Sequence, residues 1–224
     1  MTGSRTYDLI GFDAVIVSTG VRALVTTGGG HCVRVEARDA ETLDRLDVSV
    51  SGGHLQIGFA RNFLDFILNG GLMDMLRHGG DLGVTAYVTL PELNGAEASS
   101  GGRLEASNVK SDRFRGEASS GGMLTLLGVS GGDFRVSASS GGTIEIEGSA
   151  QGLDANVSSG GRVRADRLSA ADGRLEASSG GRLEASVTTR LRASASSGGY
   201  IEVEGNPTDR HVSSSSGGNV SVRT

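Results

Sequence analysis

The sequence predicts an all-β protein, a right-handed single-stranded parallel β-helix of about 19–20 residues per coil, and three observations carry that reading. The tetrapeptide Ser-Ser-Gly-Gly occurs seven times, beginning at Ser99, Ser119, Ser139, Ser158, Ser178, Ser196 and Ser215, at intervals of 20, 20, 19, 20, 18 and 19 residues. A period this short and steady marks one supersecondary unit stacked on itself. Each tetrapeptide is followed by alternation of polar and apolar residues, as in Arg103-Leu104-Glu105-Ala106, Thr143-Ile144-Glu145-Ile146 and Arg182-Leu183-Glu184-Ala185. That is the pattern of a half-buried strand, and glycine pairs so close together leave no room for long helices. Finally, aromatic residues make up 4% of the chain and Trp is absent, which fits a narrow core of Ala, Val and Leu.

The strand entering each turn has the matching pattern. One place before the first serine stand Ala98, Ala118, Ala138, Val157, Ala177 and Ala195, with Ser214 in the last coil. Two places further back come Ala96, Gly116, Val136, Ala155, Leu175, Ala193 and Val212, and then Phe114, Phe134, Leu153 and Leu191. These columns are expected to face inward. The two glycines are expected to supply the corner conformation, with the serines bonding from coil to coil.

Residues 1–94 are less regular and read as N-terminal coils that cap one end, before a regular β-helix over 95–224, the whole being one continuous domain. Strands are expected at Ala14–Val17, Val21–Thr26 and Val33–Glu36. Asp39 to Leu46 reads as a single helical turn or a wide loop, with Asp39 as cap. Ser51-Gly52-Gly53-His54-Leu55-Gln56-Ile57 and Gly79-Gly80-Asp81-Leu82-Gly83-Val84 repeat the theme of a glycine pair before alternation, so the same architecture is expected there.

Composition narrows the function. A formal charge of −5 argues against a general nucleic-acid binder. The lone Cys32 permits no internal disulfide and, in an apolar strand, is expected in the core. No apolar run is long enough to span a bilayer, and no secretory h-region opens the chain, so an envelope location would make this a mature or trimmed form; a cytoplasmic one stays open. His31, His54, His78 and His211 lack the spacing of a metal site, so neither metal nor cofactor is expected. Seven copies of the serine motif argue against a serine nucleophile, which needs one base and one oxyanion hole beside one serine. Asp133 and Asp154 could meet on adjacent coils as an acid and base pair for polysaccharide cleavage, but the arginines around them would depress an acid's pKa, and no catalytic residue is assigned.

Two features stand out as candidate interaction sites. Residues 61–78 interrupt the repeat with Phe63, Leu64, Phe66, Ile67, Leu72, Met73, Met75 and Leu76; they either cap the β-helix or form a subunit or membrane-surface contact, and with only Arg61 and Arg77 flanking them a protein contact is favoured over lipid. The outward column of the pre-turn strand reads Arg115, Arg135, Asp154, Arg174, Arg192 and His211, beside a second column of Arg113, Asp133, Gly152, Asp172, Arg190 and Asp209. This is either a solvated salt-bridge ladder or a basic stripe that binds the carboxylates or sulfates of an acidic polysaccharide. The last coil, Asn219 to Thr224, has no obvious cap and offers backbone to a second copy, a possible route to a homo-oligomer or filament.

Phe12-Asp13-Ala14-Val15-Ile16-Val17, the Val21–Val25 strand, Val33-Arg34-Val35, Leu55-Gln56-Ile57 and Val88-Thr89-Leu90-Pro91-Glu92-Leu93, followed by serine-glycine repeats, resemble the auto-transporter adhesin head domain called GIN, over nearly everything outside residues 61–78. The resemblance implies a bacterial envelope or secreted protein with a binding or adhesion role, and brings no catalytic residues. The functional expectation is a non-enzymatic scaffold that contacts an acidic polysaccharide or another envelope surface component, neither nucleic-acid binding nor membrane-spanning. The alternatives are a self-assembling structural protein and a polysaccharide lyase or hydrolase.

Overall fold

The computed structural model describes residues 3–59 and 83–223, which form a β-solenoid of about six turns. The regular part is built from β10 (Lys110–Ala118), β11 (Met123–Ala138), β12 (Thr143–Val157), β13 (Arg162–Ala177) and β14 (Arg182–Ala195), continued by β15 (Tyr200–Glu204), β16 (Asp209–Ser214) and β17 (Asn219–Arg223). Each pairs in parallel with the same segment of the next coil, so Leu124 meets Ile144, Ile144 meets Val163, Val163 meets Leu183 and Leu183 meets Ile201. The long strands bend through register shifts, as between Leu126 and Val129 at Gly128 and between Ala165 and Ser169 with no glycine, so that one strand serves two walls. The inward columns read from alternation are buried: Ala118, Val136, Leu153 and Leu183 are all at most 2% exposed, and Phe114 and Phe134 stack with ring centroids 5.3 Å apart.

The turn works differently from expectation. In Ser139-Ser140-Gly141-Gly142, the residues with positive φ are Ser140 (48°) and Gly141 (74°), both central positions of a turn closed by the Gly142 amide donating to the Ser139 carbonyl at 2.8 Å. Gly142 is needed for another reason: a Cβ there would lie 2.3 Å from the carbonyl oxygen of Ala118 in the preceding coil. One glycine therefore relieves the turn and the other admits the neighbouring backbone. Coils are joined here by backbone bonds, such as the Ser139 amide to the Ala118 carbonyl at 3.0 Å and the Gly121 amide to the Ser140 carbonyl at 3.2 Å. Among the described residues the turn serine hydroxyls form no such ladder, because the backbone groups already link the coils.

The N-terminal region consists of β1 (Gly3–Tyr7), β2 (Ala14–Val17), β3 (Arg22–Thr27), β4 (Cys32–Ala37), the short helix α1 (Ala40–Asp44), β5 (Leu46–Ser51), β6 (His54–Phe59), β7 (Val84–Leu90), β8 (Gly95–Ala98) and β9 (Arg103–Ser107). Its axial order departs from chain order. One wall stacks as β1, β4, β7, β3, β9, and the other as β5, β6, β2, β8, β10. The β2–β3 coil thus lies between the later β6 and β7 strands and the β8–β9 coil. The pairs β1–β4, β4–β7 and β5–β6 are antiparallel, unlike the rest. Ser51-Gly52-Gly53 is accordingly the tip of a hairpin and no solenoid corner: Gly52 and Gly53 have φ of 58° and 81°, the double positive φ that a tight hairpin favours. The β2, β3 and β4 strands occur where alternation put them, and Asp39 caps α1 by accepting from the Thr42 amide at 2.7 Å, with Leu43 buried beneath.

Two side chains contradict the sequence reading. Cys32, at the start of β4, is exposed, because inward places on that strand go to Val33, Val35 and Ala37. Val212 in β16 is 43% exposed, since among the described residues β16 pairs only with β14 and no strand covers its other side. Arg210 takes the register place that Leu191 holds one coil earlier, so the apolar column ends in a long charged side chain. The segment containing Phe63 to Leu76 and the glycine pair Gly79-Gly80 lie outside the described residues.

Two substitutions test this account. Gly142→Ala should lower the unfolding free energy by about 3 kcal/mol through backbone overlap, whereas Gly141→Ala, which meets open space, should cost about 1 kcal/mol from its left-handed conformation; urea titrations give the comparison. Leu183→Asp, at a fully buried place in the middle of a column, should unfold the chain or cost about 4 kcal/mol or more by calorimetry.

Candidate ligand-binding groove

Alternation on the pre-turn wall turns every second side chain outward, and parallel stacking aligns them coil by coil. The register joins Arg115 to Arg135, Arg135 to Asp154, Asp154 to Arg174, Arg174 to Arg192 and Arg192 to His211. Two places upstream it joins Arg113 to Asp133, Asp133 to Gly152, Gly152 to Asp172, Asp172 to Arg190 and Arg190 to Asp209. The four candidate arginines therefore share one face, spaced by the ~4.8 Å of adjacent strands, with Asp154 interrupting them.

Both columns border a groove of about 580 Å³ running over Phe114, Phe134, Leu153 and Leu191. Its rims carry six arginines and four aspartates, a local excess of positive charge on an acidic protein. Gly152 makes room on the outward side, where a side chain would press on the Asp133 carboxylate; Gly173 is an inward place, where a side chain would meet Val187 in the core. The alternation revealed the columns, but the opening between them depends on Gly152 in the outward column, and a single glycine carries no chemical signal of its own.

Most of the charges are engaged. Arg115 donates to Glu117 at 2.9 Å, Arg135 to Asp154 at 3.1 Å and Arg174 to Glu176 at 3.1 Å. Arg190 grips Asp172 with two donors, one from Nε at 2.7 Å, which lowers the Asp172 pKa and raises that of Arg190. His211 Nδ1 lies 3.2 Å from Asp209. Arg192 makes no ion pair with any described residue. Exposed pairs of this kind contribute about 0–1 kcal/mol each, so an incoming anion can displace them. Asp154, held by Arg135, is an ion-pair acceptor and forms no pair with Asp133.

The histidines go to separate tasks. His31 packs edge-on against Phe12 and bonds its backbone carbonyl at 2.9 Å, and His54 bonds the Gly52 carbonyl at 2.9 Å. Among the described residues no three His, Cys, Asp or Glu side chains converge on a metal-sized site, and no helix is long and apolar enough to cross a membrane.

Sequence reasoning passed over a smaller hollow of about 250 Å³ where the same wall continues toward the N-terminus, lined by Asp13, His54, Glu97, Arg115 and Glu117 among others. Glu97 and Glu117 are neighbours in register, and Glu97 has its pKa raised, first by burial and then by the Glu117 charge. A raised folded-state value means that ionised Glu97 opposes folding above that value, and the penalty disappears as pH falls through it. Glu97→Gln should therefore raise the melting temperature at pH 7 and leave it unchanged well below the ordinary glutamate value near 4.5, a difference that thermal scans at the two pH values would resolve.

Comparison with known proteins agrees with the solenoid. The chain aligns over 100% of its length with a putative adhesin from Bacteroides fragilis, covering 97% of that chain at 18% identity and a TM-score of 0.82. A putative adhesin from Parabacteroides merdae aligns over 100% of this chain and 96% of its own, at 13% identity and a TM-score of 0.63. A protein named as a putative lipid binding protein from Parabacteroides distasonis aligns over 100% and 97%, at 17% identity and a TM-score of 0.64. At these identities the likeness is one of fold. No curated protein matches the sequence. Residues 11–207 match the family described as "Putative auto-transporter adhesin, head GIN domain", and this chain belongs to that family.

Proposed function

We propose that this protein is a non-catalytic binding scaffold of the bacterial cell envelope or surface, and that its groove takes an acidic polysaccharide along the solenoid axis. The observation that carries the reading is the stacking of Arg115, Arg135, Arg174 and Arg192 on one side of a groove of about 580 Å³. A rigid parallel sheet presents guanidinium groups at a repeat of ~4.8 Å, and a linear polyanion offers carboxylates or sulfates in series, so weak contacts add along its length. The adhesin naming of the family and of two fold neighbours supports a surface-binding role. Groove charges are taken up by one another in ion pairs, an arrangement that suits binding better than acid and base chemistry.

Binding of the purified chain to dextran sulfate and to polygalacturonate, with dextran as the neutral control, tests this by biolayer interferometry. The acidic polymers should bind with an affinity that falls at least about tenfold between 50 and 300 mM salt, and dextran should not bind. Replacing Arg115, Arg174 and Arg192 together by Gln should abolish the signal. Absence of binding to both acidic polymers overturns the glycan reading. Binding to phosphatidylglycerol vesicles alone would replace the glycan with a lipid headgroup.

A further inference from the structure

The arginines of the stripe differ in what already holds them, and the difference follows from the residues beside them. Arg115 and Arg174 each have a glutamate two places along their own strand, Glu117 and Glu176, on the same outward face, and both pair with it. Arg135 has Ser137 there instead and turns to Asp154 on the next coil. Arg192 has Ser194 at that place, while its neighbours on the adjacent coils are Arg174 and His211. No carboxylate stands two places along its strand or at either register neighbour, and Glu176, opposite Ser194 in register, is already held by Arg174. Arg113 also lacks an ion pair among the described residues, but it stands opposite Asp133 in register.

Arg192 also occupies a particular place in the surface. The main groove runs on one side of the arginine column, and a second depression of about 640 Å³ flanks it, bordered by Arg210, Ser194 and Ser213. Both depressions have Arg174 and Arg192 in their walls. A group bound at Arg192 can therefore be reached from two sides and meets two further serine hydroxyls that can donate to an oxyanion.

We infer that Arg192 is the anchoring subsite of this surface, taking one carboxylate or sulfate of the bound glycan, and that the paired arginines Arg115, Arg135 and Arg174 only guide the rest of the polymer. This rests on the acidic-glycan reading of the groove. An unpaired guanidinium gives its full fork of donors to a ligand, whereas each paired one must first release its own carboxylate.

The experiment compares Arg192→Gln with Arg135→Gln, both exposed single-charge changes, for binding to dextran sulfate and polygalacturonate at 50 mM salt, with melting temperatures as the check that both variants fold. Arg192→Gln should weaken binding about tenfold or more, the loss expected for one charge-assisted contact, and Arg135→Gln should weaken it less than about threefold. Arg192→Lys should recover only part of the loss, since an ammonium lacks the planar fork. Equal losses at the two positions, or a larger one at Arg135, overturn the anchoring subsite and leave the groove reading standing. A wild-type chain that binds neither polymer overturns both.

Discussion

Every coil of this protein must bring its backbone close enough to the previous coil for the parallel hydrogen-bond ladder to continue around the corner, and at that corner there is no space for a side chain. A Cβ at Gly122, Gly142, Gly161, Gly181, Gly199 or Gly218 would lie between 2.1 and 2.7 Å from a backbone atom of the coil before. Because the constraint recurs wherever the chain turns at this corner, the glycine recurs too. The residues before it tolerate or require positive φ, and the strands on either side are left in a fixed phase relative to the turn. In and out alternation is thereby locked from coil to coil, which is what keeps Leu124, Ile144, Val163, Leu183 and Ile201 in one buried line.

The same locking produces the candidate site. Once the phase is fixed, a polar residue at a given offset from the turn appears on the surface directly above its counterpart, so arginine at one offset becomes a stripe without any further instruction. The pairing within the stripe is then a local matter of which residue stands two places along or one coil over. Glutamate at 117 and 176 neutralises two arginines, aspartate at 154 neutralises a third, and serine at 194 leaves Arg192 unneutralised. A repeating scaffold can in this way carry a non-repeating function, because single substitutions on the outward columns change the surface while the ladder beneath is untouched.

The N-terminal region shows what happens where the corner constraint is absent. There the chain forms a hairpin, places β4 antiparallel to β7, and threads the β2–β3 coil between strands that come later in sequence. Local alternation still marks the individual strands, since half-burial imposes it in any sheet. The glycine pair at Gly52-Gly53 resembles a solenoid corner in sequence and is a hairpin tip in structure, because two residues of positive φ satisfy both kinds of turn.

By itself the sequence determined the coil length, the buried and exposed columns of the regular coils and the alignment of Arg115, Arg135, Arg174 and Arg192, all of which follow from a short period whose neighbours are copies of one another. The tertiary structure alone decided the axial order of the first strands, the exposure of Cys32 and Val212, the division of labour between the two turn glycines and the groove beside Gly152. Those depend on which distant segment lies alongside, and a residue's own neighbours in the chain carry no information about a partner that the repeat does not supply.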